Sequence, residues 1–433
     1  MNMARTWGGA FALAAALLCA AGANAQGIDL AVSVGGFHSD NVRRESVDEE
    51  SQTVGELGLR LGIERATGRL HSHVSANLAY RNYFDDAYDE DLRGGLDATV
   101  TYWFAPERFS WVIQDNLGQA FIDPRNVDTP DNQQNANFFS TGPDLRLPIG
   151  DRTSVLLSGR WSQASYEEFD ADNQRFTGTL GLERRLSERT ALSVNATAER
   201  VEYDNEVLNS NYDRQSGYVA LQSEGARTTL AVQAGYTALH DFGDTTDGPL
   251  FDVRVTRQMS PRTMLTLNAG TALTDSAEAM RRDQRIIGVE TEGGLSIAST
   301  DPFQSDYASV GWALEGTRTS ASLDVNWRSE DHEREAALNR DSIGATARLT
   351  RHIGPRLSAG LYGGWTKQDF EDSDVEFDEW NVGVDLNWEL SAQLGVTVRG
   401  DRFEGSGDTA FGIDQRDFTE NRITLTLTYT PRR

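Results

Sequence analysis

LRGGLDATVTYWFAPERFSWVI, residues 92–113, holds two alternating runs and the turn that joins them. In the first run Leu92, Leu96, Ala98, Val100, Tyr102 and Phe104 share one parity, while Arg93, Asp97, Thr99 and Thr101 share the other. A period of two gives a strand with one apolar and one polar face. Ala105-Pro106-Glu107-Arg108 supplies a tight turn, its proline placed where the ladder needs no donor. Alternation resumes at Phe109, Trp111 and Ile113, and aromatics cluster beside the turn, as they do at a membrane–water interface.

Working outward, similar short turns recur: ATGR at 66–69, GDRT at 150–153, SERT at 187–190, GART at 225–228, SPRT at 260–263, GTRT at 316–319, GPR at 354–356 and a weaker SAQ at 391–393. Most lie roughly 35–45 residues apart, room for two strands of ~12 residues and a longer connection. The interval from Pro261 to Thr317 is wider. Between turns, Val155, Leu157, Gly159 and Trp161 oppose Ser154, Ser158 and Arg160, and Ala321, Leu323, Val325 and Trp327 oppose Ser322, Asp324, Asn326 and Arg328. Val382, Val384, Leu386 and Trp388 likewise oppose Asn381, Asp385, Asn387 and Glu389. A soluble sandwich needs only two short layers, whereas so many hairpin-linked strands without helices suit a closed barrel. The turns imply an all-β fold: a single transmembrane antiparallel up-and-down β-barrel of about 20 strands, within a range of about 18–22. Residues 274–304 read as an extended outer hairpin or loop, because counting Ile287, Val289, Gly293, Leu295 and Ile297 as a further strand breaks even parity. Asp115 shares the parity of Trp111 and Ile113, a misfit that a bulge would relieve.

The chain opens with Arg5, an apolar run from Ala10 to Ala21 and Ala23-Asn24-Ala25, the pattern of a secretory signal peptide over 1–25. Residues 26–433 are left for the barrel. Cys19, the single cysteine, lies in the signal segment, and Leu18 before it is too large for lipoprotein cleavage. No later apolar run reaches about 18 residues, so no transmembrane helix is expected. A mean hydropathy of −0.50 and 24% charged residues exclude an α-helical membrane protein, but suit strands that are apolar on one side only. The formal charge of −26 disfavours nucleic acid as a partner. Lys367 is the sole lysine, so nearly all positive charge is arginine.

The charges separate by end. Short turns carry Arg108, Arg152, Arg189, Arg227, Arg262, Arg318 and Arg356. The longer connections are acidic, as in Asp85 to Asp91, Glu167 to Asp172 and Asp369 to Glu379. Short turns of outer-membrane barrels face the periplasm, which would put the acidic loops outside the cell, among outer-membrane lipid and lipopolysaccharide. Such loops suit divalent cations bridging to lipopolysaccharide, or repulsion of anions at the mouth, although a plain solvated surface explains the same residues. His71 and His73 alternate with Leu70, Ser72 and Val74 and point to the wet side, but two ligands are too few to predict a metal. No Gly-x-Ser-x-Gly, His-Glu-x-x-His or phosphate loop occurs, and no cofactor or catalytic residue is expected. Asp331-His332-Glu333 is better read as loop charge than as a hydrolase site. Loop 122–137, IDPRNVDTPDNQQNAN, is rich in amides that pair with sugar hydroxyls: Asn126, Asn132, Gln133, Gln134 and Asn135. It reads either as an inward-folded constriction with sugar contacts or as an ordinary exposed loop.

The last strand alternates Ile423, Leu425, Leu427 and Tyr429 with Thr424, Thr426 and Thr428, and resembles the C-terminal assembly signal of bacterial outer-membrane proteins, although four residues follow the aromatic. FAPERFSWVIQDNLGQAFIDPRNVDTPDNQQNANFFSTGPDL, residues 104–145, is similar to the β-barrel porins found with exopolysaccharide or exosortase (PEP-CTERM) systems of Gram-negative bacteria, as are the repeated Arg-Thr turns and Asp-Pro-Phe at 301–303. The resemblance implies an outer-membrane barrel involved in exopolysaccharide export, working with polysaccharide and periplasmic export machinery. In that reading Arg93, Asp97, Arg160, Glu183, Asp324, Asn326, Arg328, Asp385 and Asn387 line a polar passage. The alternatives are a structural or surface-interaction barrel with a plugged lumen, a general small-solute porin, or an outer-membrane hydrolase.

Overall fold

Alternation becomes strand throughout the computed structural model, which describes residues 27–205, 210–241, 244–287, 297–371, 375–408 and 417–431. The expected signal peptide, 1–25, lies outside the described residues. Strands β1 to β10 span Ile28–Ser39, Gln52–Ala66, Leu70–Tyr83, Asp91–Ala105, Phe109–Phe121, Gln133–Pro148, Thr153–Tyr166, Asn173–Ser187, Thr190–Tyr203 and Tyr212–Glu224. Strands β11 to β20 span Thr228–Asp241, Asp244–Ser260, Thr263–Thr274, Phe303–Glu315, Thr319–His332, Arg340–His352, Leu357–Phe370, Val375–Glu389, Leu394–Asp408 and Phe418–Tyr429. Each pairs antiparallel with its neighbours in sequence, and β20 returns to β1 from Val32↔Tyr429 to Ser39↔Arg422. The protein is a closed 20-stranded up-and-down barrel, and closure satisfies both backbone edges.

Side-chain parity sets inside and outside. Leu323 and Val325 on β15, and Val382, Val384 and Leu386 on β18, are exposed on the outer wall. Their sequence neighbours of opposite parity point into the lumen. Trp380 and Trp388 share the outer face of β18 and bracket its aliphatic residues. Eight residues at ~3.3 Å each, tilted by ~40°, span roughly 20 Å, close to the apolar band of a membrane barrel. At the short-turn end Tyr102, Phe104 and Phe109 interlock, with centroids 5.0 and 5.2 Å apart. These are the aromatic residues that the opening stretch places beside its turn.

The short turns share one backbone device. The carbonyl of each turn's last residue accepts an N–H from the strand end of the next hairpin, as in Trp103 to Arg69 (2.7 Å), Glu224 to Arg189 (2.8 Å) and Glu389 to Arg356 (2.8 Å). In eight of the nine turns that acceptor is an arginine, and in the ninth it is Gln393. Neighbouring hairpins are therefore locked at equal height around the rim.

Two expectations change. Asp115 has no bulge beside it, since pairing runs unbroken from Trp103↔Ser110 to Leu96↔Leu117. The irregularity lies at Trp103/Ala105 instead, next to Glu107 at φ 58°, so the turn absorbs the extra residue. Asp115 keeps the outward parity, opposite Ala98 and Phe139. The wide interval before β14 is also not a simple outer hairpin, for it contains a helix, α1, Ser276–Ile287. Ile287 belongs to this helix, and Ile297 forms a single parallel bridge with Phe121. Val289, Gly293 and Leu295 lie outside the described residues.

Candidate functional site: a constricted lumen

Asp275, immediately after β13, fixes the start of α1. Its carboxylate accepts the Glu278 N–H at 3.2 Å, the capping contact that Asp-x-x-Glu provides. The same carboxylate takes two parallel bonds from Arg175 on β8, both 2.8 Å, and one from the Tyr212 hydroxyl on β10 at 2.9 Å. Arg214 on β10 stands 3.5 Å away and also pairs with Glu199 (2.6 Å) and Glu278. Burial works against the Asp275 charge, but Arg175 first and Arg214 second hold its carboxyl down at about 2. Bidentate guanidinium contact fixes direction as well as charge. The chain leaving β13 is thereby clasped to a wall five strands away.

From the clasp, α1 runs on to the wall of β5 to β7. Ala277 and Met280 share one buried cluster with Ala120, Ala136, Phe138, Ala164 and Tyr166. Arg281 lies 5.1 Å over the Phe138 ring. Burying a side chain such as Met280 contributes about 2 kcal/mol, so the helix is held by packing as well as by the clasp. The returning chain is tied too: Tyr203 donates to the Thr300 carbonyl at 3.2 Å, and Asp301 accepts the Arg334 and Glu335 N–H groups at 2.7 and 2.9 Å. A 20-strand barrel is wide enough for an aqueous channel. Here a segment anchored at β13 and β14 crosses toward β5.

The β5–β6 connection folds inward as well. Asn132 closes it by donating to the Asp123 and Val127 carbonyls (2.9 and 3.1 Å) and accepting the Asp123 N–H (3.0 Å). Val127 then packs against Phe377, Phe403 and Phe418 on β18 to β20. Arg44, from the β1–β2 connection, secures this corner through Glu420 (3.1 Å), Glu379 (3.4 Å) and the Asp128 carbonyl (3.0 Å). Burial opposes the Arg44 charge, yet Glu379 and Glu420 raise its pKa above the ordinary value. Its guanidinium covers Phe403 and Phe418 at 5.0 and 5.1 Å.

The candidate lumen residues lie at different heights. Toward the long loops, Arg93 bonds Asp91, Gln133 and the Pro130 carbonyl (3.1 Å), and so supports the inward loop. Arg328 is buried with Glu330 at 3.4 Å, and Glu330 also binds Arg340 at 2.7 Å. At mid-wall Asp97 accepts from Asn116 at 3.2 Å and Arg160 pairs with Asp144 at 2.6 Å, and toward the short turns Glu183 pairs with Arg146. Asp385 binds Arg348 (2.6 Å) and Asn387 (2.6 Å), and Asn387 accepts from Thr397 (2.6 Å). Asp324 is exposed, and Asn326 sits opposite Gly344. Beside them, Tyr362 lies between Arg348 and Arg399, at 5.1 and 4.8 Å from its ring. The wall is lined by matched charges rather than by one sign.

Of the five loop amides, Asn126 alone is exposed. Asn132 closes its own loop, Gln133 joins Arg93 and Asp128, Gln134 accepts the Glu168 and Phe169 N–H groups at 2.9 and 2.8 Å, and Asn135 binds Glu167 and the Leu92 carbonyl. All five therefore bond within the protein, Asn126 by donating to the Asp123 carboxylate at 3.4 Å. His73 contacts Glu64 at 2.7 Å, and among the described residues no group of three metal-ligating side chains occurs. His332 is buried, stacked 4.6 Å from Phe303.

Arg175, Tyr212, Arg214 and Asp275 are absent from the sequence-based candidates. Their one legible signal is Asp275-Ser-Ala-Glu278 ahead of a run with helical spacing. The clasp itself joins residues about a hundred positions apart.

No family model and no curated protein sequence matches the chain. Among solved structures it is similar to Pseudomonas aeruginosa OccK2 (OpdF) in complex with glucuronate, with 11% identity, 94% of this chain and 98% of that chain covered, and a TM-score of 0.38. It is also similar to the FrpB iron transporter from Neisseria meningitidis (10% identity, 94% and 82% covered, TM-score 0.43). The siderophore receptor PirA from Pseudomonas aeruginosa gives comparable figures: 10% identity, 92% and 80% covered, TM-score 0.43.

Proposed function

We propose that the chain is a bacterial outer-membrane barrel offering hydroxyl-rich solutes a polar passage, and that its task is export of an extracellular polysaccharide. The observation that supports a passage is the inverted wall, with leucine and valine exposed outside and paired arginines, carboxylates and amides inside. Matched charges hydrate well without trapping a neutral sugar chain, so transit is passive and driven by synthesis and the periplasmic machinery. The acidic long loops face the exterior, where lipopolysaccharide and divalent cations surround them, and the arginine-rich turns face the periplasm. Export in particular rests on the resemblance of residues 104–145.

The Asp275 clasp favours a second reading, a plugged barrel that serves as a structural or surface-interaction protein. Single-channel recording in planar bilayers separates the two. Sustained openings interrupted by added oligosaccharide support the passage; a folded, inserted and silent barrel supports the plug.

A further inference from the structure

The eight turn arginines that share a backbone position also share a chemical state. Each is exposed, and among the described residues none makes an ion pair or side-chain hydrogen bond. This is unusual in a chain of net charge −26, whose other arginines are mostly paired. The turns themselves add only Glu107, Asp151 and Glu188 as acids. Their height is fixed. Arg108 directly precedes Phe109 of the aromatic cluster, and Arg356 precedes Leu357, which pairs with Trp388 on the outer belt. One to four residues beyond the belt is the depth of lipid headgroups.

We propose that this rim is a binding surface for the phosphate groups of the lipid leaflet at the short-turn end, with a preference for anionic phospholipid. A guanidinium offers a planar pair of donors to phosphate oxygens, and basic residues just outside an anionic leaflet gain from its surface potential. The arc follows eight successive turns, from the β2–β3 hairpin to the β16–β17 hairpin. A leaflet surrounds a barrel on every side, whereas a docked protein covers one sector. The arginine backbone carbonyls already hold the hairpins together, so the side chains are free for the lipid.

The inference rests on the membrane-spanning fold and not on what passes through the lumen. The full chain is reconstituted in nanodiscs of equal phosphatidylglycerol and phosphatidylcholine, then extracted in mild detergent, and the retained lipid is counted by headgroup. The wild type is expected to keep phosphatidylglycerol about threefold over phosphatidylcholine. A combined Arg152→Gln, Arg189→Gln, Arg227→Gln and Arg262→Gln variant is expected to fall to about parity. Glutamine keeps the carbonyl contacts, and heat-modifiable gel mobility verifies folding. Arg200→Gln with Arg402→Gln, near the other end, serves as the control and is expected to retain the preference. Equal retention by wild type and rim variant overturns the proposal. So does abolition of the wild-type phosphatidylglycerol preference by inorganic phosphate at the lipid's own concentration, or loss of an acidic protein partner with lipid retention unchanged. A barrel that fails to insert at all refutes the membrane reading instead.

Discussion

Replacing Asp275 with Asn keeps the side chain's shape and its capping oxygen but removes the charge that Arg175 grips. A carboxyl held at about 2 against an ordinary 3.8 carries charge-specific stabilisation on the order of 2 kcal/mol. Breaking a buried ion pair from one side costs about 3–5 kcal/mol. The upper end does not apply, because Asn173 still accepts from the Arg175 Nε at 2.8 Å and Arg214 retains Glu199. About 3 kcal/mol therefore separates clasped from released, roughly a hundredfold in population. Single-channel recordings of both proteins at one voltage and neutral pH test this. The variant is expected to occupy a higher-conductance state roughly a hundredfold more often. Identical dwell times in a variant that folds and inserts normally would show that α1 does not limit the passage.

Acid should act on the same clasp. The folded pKa of Asp275 lies below its unfolded value, so its contribution is complete above about pH 4 and is lost as pH falls toward 2. High-conductance events should thus rise across that window in wild type and stay flat in Asp275→Asn. Arg44→Met keeps apolar cover on Phe403 and Phe418 but leaves Glu420 and Glu379 without a guanidinium that both share. A loss of about 3 kcal/mol is expected, read as a lower unfolding midpoint in urea with lipid vesicles. Val384→Arg puts a cation midway between Trp380 and Trp388 on the outer wall, with an expected cost of about 2–4 kcal/mol in the same assay. A neutral result there would argue that this face does not meet lipid.

Strand number and inside–outside assignment were legible because both follow from local period. Leu323 and Val325 against Asp324 and Asn326 need no distant partner to declare their faces. The constriction was not legible, because it depends on where two loops land. A period-two reading of 274–304 favours strand-like Ile287 and Ile297, whereas the Asp275 cap and the apolar wall of β5 to β7 select a helix. The loop amides of 122–137 show a related limit. Composition identified groups able to hydrogen-bond, but tertiary contacts decided that Asn132 and Gln134 would bond the protein's own backbone. Arg93 and Arg328 sit on the predicted wall, yet support loops and buried networks there rather than open water.

The β1–β20 ladder has eight residue pairs, against twelve between β1 and β2. Every other ladder joins hairpin neighbours and can zip as soon as both strands exist. This one joins residues almost four hundred positions apart, so it forms last and against the greatest loss of chain freedom. Until then the nascent cylinder exposes two rows of raw backbone donors and acceptors, each a template for stray chains. The protein's most hazardous moment is therefore the interval before the final zip, and any escort must guard those two rows rather than the oily wall alone.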